Sequence, residues 1–116
     1  MEVTRLRSID GCATECLNAH KACLGALEYC LNQGGKLAEP GHIRLLRVCA
    51  EICRTSAFVL LSHSTFHLRT CAICAEVCEA CAESCEYLGD EKLITCADIC
   101  RDCSDSCMAM TMSEAA

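Results

Sequence analysis

Aromatic side chains are nearly absent from this 116-residue chain, which has no Trp, two Tyr and two Phe. A core built on large rings is excluded, and so are the aromatic platforms on which nucleic-acid bases stack. Basic residues form no stripe, and the net charge is −6, so phosphate backbones are poor partners. No apolar run reaches membrane-spanning length; the longest, between Ala57 and Ser62, is far too short. The first ten residues, Met1 to Asp10, hold no apolar segment of the kind that directs secretion, and Arg5 and Arg7 are separated by Leu6. A reducing, cytosolic setting is the expectation.

Proline is equally scarce, with one residue, and most glycines sit beside it or at two other places. That punctuation divides the chain into four helices at about 8–32, 40–62, 65–88 and 91–111, within a single domain spanning 1–116. Ser8 or Asp10 can cap the first helix and Gly34-Gly35 stop it. Lys36 to Glu39 then reads as loop, and Pro40 suits the first turn of the second helix. Ser64 is a candidate cap for the third helix, Gly89 a stop, and Asp90-Glu91 a negatively charged start for the fourth. Helices of this length on short connections pack as an all-α, antiparallel, up-down-up-down four-helix bundle.

What the chain has in excess is cysteine: 15 residues, about 13%, a level that composition alone associates with disulfide scaffolds or metal binding. Nine of them form two runs, Cys71, Cys74, Cys78, Cys81, Cys85 and Cys96, Cys100, Cys103, Cys107. Steps of three and four mark the inward face of a helix. The remaining six fall on the same kind of stripe. Helix one reads Ile9, Cys12, Cys16, Ala19, Cys23, Ala26, Cys30, and helix two reads His42, Leu46, Cys49, Cys53, Ser56, Leu60, His63. Large residues off the stripes, among them Leu17, Leu24, Leu27, Leu31, Ile43, Leu45, Val48, Ile52, Phe58, Val59 and Leu61, are expected to hold neighbouring helices together. They also suggest a further surface for association between bundles.

An odd number of thiols cannot all pair within one chain. Residues four apart on a helix have Cβ atoms about 5–6 Å apart, too far for a disulfide, whose Cβ atoms stand about 3.5–4.5 Å apart. A disulfide-stabilised structural bundle therefore remains the alternative, as does a zinc-binding thiol protein. Structural zinc, however, takes four convergent ligands in a closed site and would leave most thiols unused. An iron–sulfur cluster calls for a compact irregular loop that is not seen here. Monovalent copper is soft, selects thiolate and thioether, and accepts few ligands, so a Cys-x-x-x-Cys pair can grip one ion. Cys12/Cys16, Cys49/Cys53, Cys74/Cys78, Cys81/Cys85, Cys96/Cys100 and Cys103/Cys107 are such pairs, with Cys23, Cys30 and Cys71 left to bridge helices. Multiple Cu(I) ions along a thiol-lined lumen are the expected cargo. No nucleophile, base and orienter constellation stands out, so enzymatic turnover is not expected.

The stretches Cys71-Ala72-Ile73-Cys74-Ala75-Glu76-Val77-Cys78-Glu79-Ala80-Cys81-Ala82-Glu83-Ser84-Cys85 and Cys96-Ala97-Asp98-Ile99-Cys100-Arg101-Asp102-Cys103-Ser104-Asp105-Ser106-Cys107 resemble the bacterial copper storage proteins. The first two helices agree more loosely, through Cys12, Cys16, Cys23, Cys30, Cys49 and Cys53. The resemblance implies a homotetramer of bundles, thiolate coordination along most of the lumen, no catalysis, and the cytosolic branch of the family. Such proteins often carry histidines just before the fourth helix, where this chain has Gly89-Asp90-Glu91-Lys92-Leu93-Ile94-Thr95. Entrance ligands are therefore sought at the ends of the stripes: His63, His67 and Met110 at the end holding the turn between helices two and three, and His42 at the other, near Cys30 and Cys85. His20, beside Cys16 and Cys23, is expected to be structural.

Overall fold

The structure, a computed structural model, describes residues 2–115, with side chains described over 8–112. Four helices follow one another: α1 (Glu2–Gln33), α2 (Pro40–Leu61), α3 (His67–Leu88) and α4 (Glu91–Ala115), with a 3-10 turn at Gly35–Ala38 between the first two. No strand occurs among the described residues. Each helix packs on two others, α1 on α2 and α4, and α3 on α2 and α4, which is the ring of an antiparallel bundle. Its extents are 49 × 20 × 18 Å.

The helix ends follow from local chemistry. Gly34 and Gly35 take φ of 72° and 59°, and Gly34 N–H closes on the Cys30 carbonyl at 3.1 Å, so the left-handed residues that stop α1 are the ones without a Cβ. The Glu39 carboxylate accepts the His42 N–H at 3.1 Å, and Pro40 occupies the first turn of α2. Gly89 ends α3 at φ 71°, and Asp90 Oδ1 accepts the Lys92 N–H at 2.9 Å to start α4.

Three features differ from the sequence expectation. α1 begins at Glu2, because nothing between Thr4 and Asp10 breaks a helix, so Ser8 and Asp10 lie inside it. The segment after Gly35 is a 3-10 turn rather than open loop. Ser64 does not sit directly before α3. Its hydroxyl accepts the Phe66 N–H at 3.1 Å, and three-residue bonds such as His67 N–H to the Ser64 carbonyl form a tight lead-in.

The core is unusual in content. All 15 cysteines are buried, and among the largest fully buried side chains the only non-cysteines are Leu46, Leu60 and Leu93. Alanines on flanking positions, such as Ala13, Ala50, Ala75, Ala82 and Ala97, bring the backbones close together. Of the larger flanking residues, Ile43 is buried, and Leu27, Leu45 and Ile52 are partly buried against the core. Leu17, Leu24, Leu31, Val48, Phe58 and Leu61 instead face outward. The narrow thiol seam leaves no inward space for them.

Candidate metal centre

Four inward stripes, one from each helix, place sulfur opposite sulfur along the axis of the bundle. Four groups of thiols result, each with all its sulfurs within 4.8 Å of one another: Cys12, Cys71 and Cys107; Cys16, Cys74, Cys103 and Cys107; Cys53, Cys74, Cys78 and Cys103; and Cys23, Cys49, Cys81 and Cys100. Cys107 belongs to two groups, and so do Cys74 and Cys103, so the first three groups form a continuous array.

The closest sulfurs belong to different helices. Cys107 stands 3.7 Å from both Cys12 and Cys16, and Cys16 also lies 3.7 Å from Cys103. Cys53 is 3.4 Å from Cys78 and 3.8 Å from Cys74, while Cys23 is 3.7 Å from Cys100. Within one helix, Cys74 and Cys78 come to 4.0 Å. Of the six i,i+4 pairs expected from spacing, only Cys74/Cys78 and Cys103/Cys107 fall together within one group; Cys12/Cys16 and Cys49/Cys53 divide between groups, and Cys81/Cys85 and Cys96/Cys100 contribute one member each, because facing helices bring thiols nearer than the helical rise does.

These separations fit metal ligation. With metal–thiolate bonds of about 2.3 Å, three sulfurs around one ion stand about 4 Å apart. All fifteen cysteines are free thiols, and the closest pair at 3.4 Å is well beyond a bonded S–S distance of about 2.05 Å. Shared sulfurs also favour a soft monovalent ion over zinc: thiolates that bridge neighbouring Cu(I) ions keep the array near neutrality, whereas closed zinc tetrahedra do not share most of their ligands.

Contact among the thiols moves their acidities in opposite directions. Cys100 is held below the ordinary thiol value, first by donation from Cys23, whose own thiol is pushed up by the same contact. Cys30, outside the four groups, is pushed up to about 11, chiefly by burial.

Ser56 occupies the α2 stripe where another thiol would complete the Cys12, Cys71 and Cys107 group. Its hydroxyl lies 3.7 Å from the Cys71 sulfur.

The expected entrance residues separate. His67 and Met110 are buried on their stripes, with His67 Nδ1 2.8 Å from the Ser64 carbonyl. His63 follows the end of α2 in an exposed turn, with a left-handed φ of 56°, and does not continue the stripe. His42 is buried at the opposite end, where Nδ1 lies 2.8 Å from Ser84 Oγ. Sequence reasoning gave no role to Ser84, since a serine one position off a cysteine stripe carries no signal of its own. His20 Nδ1 lies 2.7 Å from the Ala50 carbonyl and joins α1 to α2, a structural contact.

Comparison with known proteins gives a consistent result. A family described as copper storage protein matches residues 6–112. Similar structures include a protein of Nitrosospira multiformis (38% identical, TM-score 0.87, covering 92% of this chain and 97% of that one). A Cu(I)-bound copper storage protein of Bacillus subtilis is 32% identical with TM-score 0.85, covering 90% and 98%. A cytosolic copper storage protein of Streptomyces lividans, loaded with five coppers, is 27% identical with TM-score 0.82, covering 94% and 96%.

Proposed function

This chain belongs to the copper storage protein family, and on that premise we propose that it stores multiple Cu(I) ions on the fifteen cysteines of its lumen. The observation that carries the reading is the array of four buried all-thiol groups, three of them continuous through shared sulfurs. Soft thiolates select cuprous ions, and each ion displaces about one thiol proton, so cargo and ligands together stay close to neutral in a dry core. A protonated cysteine is itself a small apolar side chain, so the empty bundle is packed without metal. Storage requires no turnover, and the protein acts as a container rather than a catalyst.

The entrance is assigned to the end where α2 turns into α3. There, buried His67 and Met110 lie one helical step from Cys71 and Cys107, while His63 is turned out of the stripe. Imidazole and thioether offer an arriving ion successive soft or borderline ligands. The outward stripe Leu17, Leu24 and Leu31 on α1, with Val48 and Phe58 on α2, supports association of bundles into the homotetramer that the resemblance implies. A cytosolic setting accords with the description of the Streptomyces lividans protein. It also accords with thiols kept reduced.

Anaerobic titration of the reduced protein with Cu(I) against a competing chelator tests the reading. Uptake approaching about one ion per cysteine is expected; saturation at about one or two ions would show a discrete metal site instead.

A further inference from the structure

Among the described residues, the group of Cys12, Cys71 and Cys107 is the one made of three thiols rather than four. Its sulfurs come from α1, α3 and α4, and Cys12 and Cys71 belong to no other group. The remaining helix, α2, presents Ser56, which is fully buried with its hydroxyl 3.7 Å from the Cys71 sulfur. The site thus offers three soft donors and, at the fourth corner, an oxygen that a soft ion does not prefer. It is also the group nearest the end of the bundle where α2 leads into α3. One step further out on the four stripes stand Ile9, Leu60, His67 and Met110, all buried, with no carboxylate, Lys or Arg among them.

Charge decides which ion such a site can hold alone. Three thiolates around one monovalent ion carry two negative charges, and four around one zinc carry the same, which burial penalises unless neighbouring ions share the sulfurs. Three thiolates around one trivalent ion are neutral with no sharing at all. Trivalent arsenic is soft, binds three sulfurs as the base of a pyramid and keeps a lone pair at the apex, so it has no use for a fourth thiol. The spacing agrees. With bonds of about 2.3 Å, three sulfurs coplanar with their ion stand about 4 Å apart and come closer as the ion rises out of the plane. Cys12 and Cys107 stand 3.7 Å apart.

We propose that Cys12, Cys71 and Cys107 form a binding site for trivalent arsenic, taken up from neutral arsenous acid, As(OH)3, as a second cargo beside copper. Each sulfur forms a bond to arsenic as one arsenic–oxygen bond breaks, and the thiol proton leaves with the hydroxide as water. Three thiols and three hydroxides therefore give three waters; arsenic stays trivalent, and no oxidant or reductant takes part. Reactant and product are both uncharged, so neither passage into the apolar end of the lumen nor burial there carries the cost of an unpaired ion. Cys107 also belongs to the group of Cys16, Cys74 and Cys103, so arsenic at this site withdraws one shared sulfur from the copper array.

The test uses the full-length reduced protein, anaerobic and in weak buffer at neutral pH, with sodium arsenite as the probe. Native mass spectrometry should show the first arsenic adding the mass of one arsenic less three hydrogens, with no proton released, in contrast to copper loading. A gain that retains a hydroxyl, or a released proton, would overturn the three-thiol site. Crystals of the loaded parent protein, measured at the arsenic absorption edge, should place the first ion among Cys12, Cys71 and Cys107. Its appearance at another group instead would overturn the assignment. Cys71→Ser should weaken arsenite binding by about tenfold or more, and unchanged affinity in that variant would likewise overturn it. A Cu(I) titration of the same preparation reads the storage function separately. Copper uptake without arsenite binding would overturn the second cargo alone, and arsenite binding without multiple copper uptake would overturn storage alone.

Discussion

The sulfurs of Cys53 on α2 and Cys78 on α3 stand 3.4 Å apart, the shortest sulfur–sulfur contact of the lumen. Two thiolates could not share that distance in a dry core without a cation between them, so filling the lumen must expel protons. At neutral pH, loading should release about one proton for each Cu(I) bound. A pH-stat or indicator measurement in weak buffer checks this. Release far below that ratio would show thiols binding without ionising.

Ser56 sets a limit on the smallest thiol group. Its hydroxyl, 3.7 Å from Cys71, stands where a fourth sulfur would join Cys12, Cys71 and Cys107. Ser56→Cys exchanges oxygen for a slightly larger sulfur at a buried position, and should change the stability of the empty protein by less than about 1.5 kcal/mol. Capacity should rise by about one ion. Chelator competition on the variant checks it; an unchanged capacity would mean that this end is limited by access rather than by ligands.

Tyr29 Oη donates to Asp90 Oδ2 at 2.7 Å, tying α1 to the start of α4 at the end that holds Cys30 and His42. Lys92 Nζ lies 4.7 Å from the centre of the Tyr29 ring on the same side. The phenol donation, foremost among the causes, holds the Asp90 carboxyl below its ordinary value of 3.8. A carboxyl that is more acidic in the folded chain contributes stability above its unfolded pKa. That contribution is lost as pH falls through the folded value. Tyr29→Phe should therefore weaken the empty bundle at neutral pH and flatten its loss of stability between neutral pH and acid below about pH 4. Urea midpoints at both ends of that window measure the effect. A parallel downward shift of both midpoints would show that the bond does not govern the titration.

The thiol stripes were legible because a three-four spacing fixes a face whatever the helix packs on: Ile9 through Cys30 and Cys71 through Cys85 are inward in the structure as in the pattern. Pairing across the lumen was not, since which α3 thiols Cys53 meets depends on the axial stagger of α2 against α3, which spacing within one helix does not encode; it meets both Cys78 and Cys74. The pattern carried α2 one step too far. Its helix stops at Leu61, and His63 turns out through a left-handed residue. Leu17, Leu24 and Leu31 misled in the opposite sense, because an apolar residue beside a seam reads alike whether it meets a neighbouring helix or stays outside.

The separation of His63 from His67 and Met110 gives the proposed entrance a testable order. His63 is exposed and lies outside the stripe, while His67 and Met110 are buried one helical step beyond Cys71 and Cys107, so of the three only His67 and Met110 stand on the stripes that lead to the first thiol group. His63→Ala should leave loading rates within about twofold of the parent, whereas His67→Ala with Met110→Ala should slow both loading and chelator-driven removal by about tenfold or more, with capacity unchanged. Stopped-flow absorbance at the thiolate-to-copper band measures all three rates. Unchanged kinetics in the double variant would move the mouth to the opposite end. There His42, buried on the inward stripe of α2, would be the first ligand met by an arriving ion.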